Sequence, residues 1–475
     1  MDKKTTVGIF GIGLDTYWDQ FDGLKERLER YQQIIVDKMS LDSNIEIIDG
    51  GLVDNPVRAK EVGELFQEKK ISALFLYIST YALSHTVLPV LQKVDVPSIS
   101  LNLQPVAAID YDAFNNLNDR GLMTGEWLAN CQACSVPEIA NICNTADLNY
   151  DIVTGYLEEK EAWDEIYSYL AAIDVKVRLS NTRIGILGHY YNGMLDVYTD
   201  VTRAAIVFGV HFELLEIDSL KALRDNVSET QIKQKIDEFN ALFSVSPECE
   251  KEEIIRAAHT SCALDALIKG NDLGALAYYY EGYDGNDHEN IVTSVIAGNT
   301  LLTGNHVPVA GECEVKNVIA MKILDLLQAG GSFAEFYAMD FNDDVVLWGH
   351  DGPAHPAIAE GEVSLVPLPI YHGKPGKGLS IQMSVKNGPV TLFAYVQGRA
   401  GSSFLLVAEG EAVEGPSLQI GNTNSRYKFP IGARAFVDKW SKQGPSHHSA
   451  IGVGHVASSI EKLSTLLGIP CVRIC

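Results

Sequence analysis

Positive charge is what this 475-residue chain has least of. Its 37 Lys and Arg stand against 62 Asp and Glu, a formal net charge of −25. Nucleic acid is disfavoured as a partner, because phosphate binding depends on Lys and Arg displacing counterions. An anionic membrane surface is disfavoured on the same ground. Long apolar runs are missing as well. The most apolar stretch, Ile71-Ser-Ala-Leu-Phe-Leu-Tyr-Ile78, is far shorter than the roughly 20 residues that span a bilayer. Met1-Asp-Lys-Lys-Thr-Thr leads straight into Val7-Gly-Ile-Phe10, without the apolar core of a secretory signal. A cytoplasmic protein is expected.

Cysteine is sparse too, eight in all, which suits reduced thiols rather than a disulfide scaffold. Cys131-Gln-Ala-Cys134, with Cys143 nearby, has no second C-x-x-C to complete a structural zinc site. It falls in a stretch expected to be helical from Leu117, so buried free thiols are the expectation. Complete phosphate-binding fingerprints are also lacking. In Gly8-Ile-Phe-Gly11-Ile-Gly13 the third glycine position is Thr16, and Gly185-Ile-Leu-Gly188 is equally incomplete. Glu216 is a lone match for a ribose-binding acid, and there is no Walker lysine. A nicotinamide oxidoreductase is therefore disfavoured.

What is present is ordinary globular composition, 46% hydrophobic and 21% charged, at a length that calls for two or three domains. The first part alternates apolar strands with helical periodicity, beginning at Val7–Ile12 and continuing through Ile45–Ile48, Ile71–Ile78 and Ser98–Leu101. A second alternation starts at Arg183-Ile-Gly-Ile-Leu-Gly188 and ends in an amphipathic helix over Glu314–Gln328. Beyond Gly330-Gly331 helix signals nearly vanish, and short strands separated by Gly and Pro take over. The expected fold is α/β: two Rossmann-like parallel-sheet domains (1–178 and 179–330) followed by a β-rich, antiparallel barrel-like domain (331–475).

Chemistry concentrates in the last third. Glu312 ends Val307-Pro-Val-Ala-Gly-Glu312, at the exit of a parallel strand, where ligand sites of α/β folds gather. Glu335 lies in the strand-like run Phe333–Phe341 and would share a face with Phe333, Tyr337, Met339 and Phe341. A carboxylate there is costly unless paired or metal-bound. His350 closes Asp343-Asp-Val-Val-Leu-Trp-Gly-His350, with Asp351 alongside as an orienting acid. In the loop Gln443-Gly-Pro-Ser-His447-His448, neighbouring side chains should diverge, so one histidine would bind metal while the other touches substrate. Glu281, after Tyr278-Tyr-Tyr280, reads as a substrate contact or support. Glu314 reads as an acid at a helix start, and Lys374 and Lys377 as a solvated turn.

The segments Ala310-Gly-Glu312, Gly331-Ser-Phe-Ala-Glu335, Val346-Leu-Trp-Gly-His350 and His447-His448, in this order, resemble the metal-site segments of L-arabinose isomerase, a relative of L-fucose isomerase. The resemblance covers most of the chain and is clearest from about Asn181 onward. It implies a metal-dependent aldose–ketose isomerase acting on a pentose or (deoxy)hexose through an enediol. Glu312, Glu335, His350 and His448 would hold Mn²⁺ (or Co²⁺ or Mg²⁺), and the same two glutamates would serve as acid and base. His447, Glu281 and Trp348 would contact the sugar. A trimer or hexamer with the site between subunits is implied. Departures leave the sugar open: Asn116–Thr124 offers no histidine for a neighbouring site, and Gly13–Trp18 lacks an expected polar contact. An acidic, for example 6-sulfonated, hexose and a non-catalytic sugar-binding protein are the alternatives.

Overall fold

The computed structural model describes residues 4–281, 286–368, 370–371, 374–375 and 378–475. These form two compact units, Met1–Val177 and Arg178–Cys475. Among the described residues no helix is long and apolar enough to cross a membrane.

The first unit is built on strands β1 (Thr5–Ile12), β2 (Ile45–Val53), β3 (Ala73–Tyr77), β4 (Ser98–Gln104) and β5 (Tyr150–Tyr156). They form one parallel sheet in the order β2-β1-β3-β4-β5. Central β3 is buried at all five positions, as a parallel strand covered on both faces should be. β5 was not legible as a strand. It lies at the sheet edge, is only partly buried, and carries Asp151 and Gly155 where a central strand would carry apolar residues. Cys131 is buried, but Cys134 is exposed in the turn beyond a helix that ends at Ala129. The expectation of two buried thiols within one helix therefore fails: the helix stops at Ala129, and its end turns Cys134 to the surface.

The second unit opens with β6 (Arg183–Gly188), β7 (His211–Leu215), β8 (Ser244–Val245), β9 (Ala275–Tyr279) and β10 (Val309–Ala310). It continues with β11 (Gly330–Asp340), β12 (Val345–His350), β13 (Ser364–Pro367), β14 (Ile370–Tyr371), β15 (Lys374–Pro375) and β16 (Leu379–Gln382). The last strands are β17 (Gly388–Gln397), β18 (Ser403–Val413), β19 (Thr423–Lys428), β20 (His448–Val453) and β21 (Cys471–Arg473). A parallel sheet runs β10-β9-β6-β7. A closed antiparallel barrel runs β17-β20-β11-β12-β19-β18 and returns to β17. The fold expectation, parallel α/β sheets followed by a barrel, holds.

A six-stranded barrel is filled by its own side chains. Val346, Trp348, Leu392, Ala394, Leu406, Ala408, Tyr427 and Ile451 belong to one core cluster. Phe436 and Trp440 join it from the helix Ala433–Lys442, which sequence periodicity alone had not separated from the surrounding strands.

Two local expectations are corrected. The alternation along β11 breaks at a bulge between Phe336 and Ala338. Beyond it Met339 pairs with Val346 and packs with Phe336 against the barrel core, so it does not share a face with Glu335. Phe341 is exposed, beyond the strand. The helix Val315–Leu326 is not amphipathic, since Val315 through Asp325 are all buried. It lies between the parallel sheet, touching β9 and β10, and the outside of the barrel, touching β11, β17 and β20. A helix covered on all sides has no polar face. Gly331 permits the approach: a Cβ there would sit 2.6 Å from the Met321 carbonyl oxygen, and its φ of +119° suits glycine.

Candidate active site

Glu312 stands two residues beyond β10, at the carboxyl end of the parallel sheet. It and Cys313 adopt left-handed backbone, with φ of +55° and +57°. Such conformations cost non-glycine residues about 1–3 kcal/mol each and persist where the surroundings impose them. Here the Cys313 N–H donates to the Tyr278 carbonyl at 2.9 Å and the Glu314 N–H to that of Gly311 at 2.9 Å. The turn thereby aims Glu312 at the outer surface of the barrel.

Barrel register supplies the opposing groups. In β11, Glu335 pairs across to His448 of β20 on one side and to Gly349 of β12 on the other. Three strands thus bring Glu335, His448 and the end of β12, where His350 sits, into one row. Phe333, on the same strand face as Glu335, packs its ring 4.4 Å from both the His350 and the His448 rings. It is buried and fixes both imidazoles.

The polar atoms converge. His448 Nε2 lies 3.3 Å from Glu312 Oε2. His447 Nε2 lies 3.7 Å from the same oxygen and 3.8 Å from Glu335 Oε2. Glu312, His447 and His448 each offer one ligand atom within 4.8 Å of the others. The expectation that adjacent histidines diverge is therefore corrected. His447 occupies a bend before β20 rather than a regular strand position, and the two rings lie 3.8 Å apart with both Nε2 atoms toward Glu312. The donor set fits a divalent cation. Among the described residues, Glu312 Oε2 and both ring nitrogens of the fully buried His448 have no hydrogen-bond partner, and buried polar atoms of that kind require one.

His350 is near but differently engaged. Its ring lies 5.3 Å from that of His448, and its Nδ1 accepts from the Gly352 N–H at 2.8 Å. Gly352 allows this contact, because a Cβ there would sit 3.0 Å from the same nitrogen. Asp351 Oδ1 lies 3.4 Å from Nδ1. A narrow cavity beside these residues is lined by Tyr278, Tyr279, Glu312, His350, Asp351 and Leu368.

Electrostatics follow from burial. Desolvation, with Glu335, Asp351 and Glu314 nearby, pushes the Glu312 carboxyl up to about 7 against the opposing pull of His447. Glu335 is raised by burial and by Asp351. Burial drives His448 well below the ordinary imidazole range, and the adjacent His447 adds to this. Burial lowers His447 too, but its hydrogen bond to Asp196 and the charges of Asp196, Glu312 and Glu335 outweigh that, so the net shift is upward.

Other expected contacts lie elsewhere. Trp348 is packed in the barrel core against Phe336, Phe436 and Trp440. The structure does not bring it to the cluster, because its position in β12 turns inward with Val346. Glu281 is exposed beyond β9, where its carboxylate accepts from the Tyr279 hydroxyl at 3.3 Å. Lys377 and the side chain of Lys374 lie outside the described residues. Sequence reasoning missed Asp196 and placed Glu314 only as an acid at a helix start. Glu314 occupies the N-cap position of Val315–Leu326 but makes no side-chain cap; it is fully buried, 3.8 Å from His448 Nδ1. Its adjacency to Glu312 was the available signal. Asp196 gave none, lying 250 residues from the histidine loop it meets.

No family model matches the chain. It is similar to the L-arabinose isomerase of Klebsiella pneumoniae subsp. pneumoniae, 21% identical over 80% of this chain and 76% of that protein. The L-arabinose isomerase of a Nocardioides species is 22% identical over 78% and 72%. That of Yersinia pseudotuberculosis serotype O:1b is 24% identical over 64% and 63%. These similarities make the chain a distant relative of sugar isomerases. A periplasmic solute-binding protein of an ABC transporter from Actinobacillus succinogenes, solved with bound D-allose, aligns with a TM-score of 0.18 and 13% identity over 65% of this chain and 78% of that one. A superposition that loose carries no argument.

Proposed function

We propose that this protein is a metal-dependent aldose–ketose isomerase, acting on a neutral pentose or (deoxy)hexose through an enediol. The observation that carries the reading is the convergence of Glu312, Glu335, His447 and His448, with His350 beside them, from β10, β11, β12 and β20. The distant relationship to L-arabinose isomerases points the same way.

Glu312, Glu335, His350 and His448 would hold a divalent cation, for which mixed oxygen and imidazole donors suit Mn²⁺ or Co²⁺ better than Ca²⁺. When bound, the cation supplies Lewis-acid polarisation of the substrate carbonyl. For His350 to serve through Nε2, its Nδ1 would have to carry the proton instead of accepting from the Gly352 N–H, with Asp351 at 3.4 Å as the acceptor available to it. The carboxylates perform the proton chemistry. One takes the proton from C2 and returns one to C1, while the other carries the O2 hydroxyl proton to O1, so that each ends the cycle as it began. In the metal-free protein burial raises both carboxyls, and a bound cation would oppose that shift and keep them able to accept a proton. His447, with Nε2 toward both carboxylates, meets the substrate hydroxyls.

A neutral sugar is favoured over a sulfonated one. Among the described residues, Glu312, Glu314, Glu335 and Asp351 give the site its acidic side chains. The Lys316 ammonium is already committed to the backbone carbonyls of Asp196 and Tyr198. The same reading carries a cytoplasmic homo-oligomer, trimer or hexamer, which sedimentation would test. The direct experiment is a panel of aldoses incubated with the Mn²⁺-loaded protein, reading ketose formed. Turnover of one or more neutral aldoses is expected. Sugar binding without turnover across the panel would overturn the proposal in favour of a binding protein.

A further inference from the structure

The segment that follows β6, residues 189–200, carries an acid that meets the histidine loop from the far side. Asp196 Oδ2 lies 2.6 Å from His447 Nδ1 and accepts from the His447 backbone N–H at 2.9 Å. One carboxylate oxygen therefore grips both the ring and the main chain of the same residue. The Asp196 segment is itself tethered: the Ser446 hydroxyl donates to the Asp196 carbonyl at 3.2 Å, and the buried Lys316 ammonium donates to it as well. Lys316 belongs to the wholly buried helix that starts just after Glu312. The acid is thus anchored to the two elements that carry Glu312 and His448.

An ionised carboxylate only accepts hydrogen bonds. The 2.6 Å contact therefore places a proton on His447 Nδ1, and neutral His447 has its free lone pair on Nε2. That atom faces Glu312 at 3.7 Å and Glu335 at 3.8 Å. We propose that Asp196 is a positioning residue that fixes the tautomer and direction of His447, so that Nε2 is presented as an acceptor to a substrate hydroxyl lying between the two glutamates. Without it the ring is free to rotate and to carry its proton on Nε2. That would place an N–H donor where the hydroxyl must give one.

This role rests on the isomerase reading for its kinetic consequence, but its structural half is tested without turnover. The full chain, with histidine labelled with ¹⁵N and Mg²⁺ replacing Mn²⁺, is examined by NMR, and His447 is assigned by its loss in His447→Gln. The expected result is a proton on Nδ1 in the parent protein and its loss or migration to Nε2 in Asp196→Asn. A proton confined to Nε2 in the parent overturns the proposal, whether or not any sugar is isomerised. In kinetics, Asp196→Asn should lower kcat by about 10- to 100-fold, the range for groups that orient a functional histidine. KM and Mn²⁺ affinity should stay within about threefold, and Asp196→Glu should recover part of kcat. An unchanged kcat overturns the proposal. So does a loss of kcat matched by equal losses in Mn²⁺ affinity and Tm, which would mark Asp196 as a structural tether only.

Discussion

His447 and His448, adjacent in the chain, present their Nε2 atoms to one oxygen of Glu312, at 3.7 and 3.3 Å. Consecutive residues of a regular strand cannot do this, because their side chains leave opposite faces. The bend at His447 makes it possible. It gives the two imidazoles different surroundings, one half-exposed and backed by Asp196, the other wholly buried. One histidine is thereby suited to substrate and the other to a cation.

Neutralising either central carboxylate should remove turnover without unfolding the protein. Glu312→Gln and Glu335→Gln are each expected to lower kcat by at least about 100-fold, the lower bound for a positioned acid or base. Steady-state kinetics beside circular dichroism check this. Substantial activity in either variant removes that residue from the chemistry.

Glu314 supplies a pH signature. Burial raises its carboxyl from 4.5 to about 7. Between those values the folded, metal-free protein holds a proton that the unfolded chain has released, so this group's contribution to stability falls as pH rises. Glu314→Gln removes the ionisable group. Relative to the parent, the variant should gain stability from pH 5 to pH 8, reaching on the order of 3 kcal/mol. Denaturant melts at several pH values measure the gap, and a gap independent of pH contradicts the assignment.

Trp348 tests where the site ends. Trp348→Phe should cost about 1–3 kcal/mol through loss of core packing, yet leave KM and Mn²⁺ affinity unchanged. Urea unfolding and kinetics on one preparation separate the two effects. A raised KM at unchanged stability would return Trp348 to the sugar.

Asp351 faces His350 Nδ1 at 3.4 Å. Asp351→Asn should weaken Mn²⁺ binding by about tenfold, as loss of an orienting acid does. Titration calorimetry reads this without a substrate. Unaltered affinity would mean that His350 needs no such partner.

Much of this was legible in the sequence because local pattern placed it. Glu312 followed an apolar strand, Glu335 sat amid apolar neighbours, and the Gly/Pro-punctuated strands after Gly330 announced the barrel. What stayed hidden depended on register and distance. The bulge after Phe336 turned Met339 to the other face, and no count of alternation foresees one extra residue. Burial of Val315 through Asp325 on all sides depends on two sheets that meet only in the fold. Asp196 reaches His447 across 251 positions, a separation at which spacing carries no information.

The central claim is that these groups form one cation site that isomerises aldoses by proton transfer. It is tested most directly by incubating the aldose panel in deuterated water with protein stripped by EDTA and with the same protein reloaded with Mn²⁺. The predicted result is ketose carrying deuterium at C1, formed only by the reloaded protein. Ketose free of solvent label, or no ketose from any aldose with Mn²⁺ bound, would contradict it.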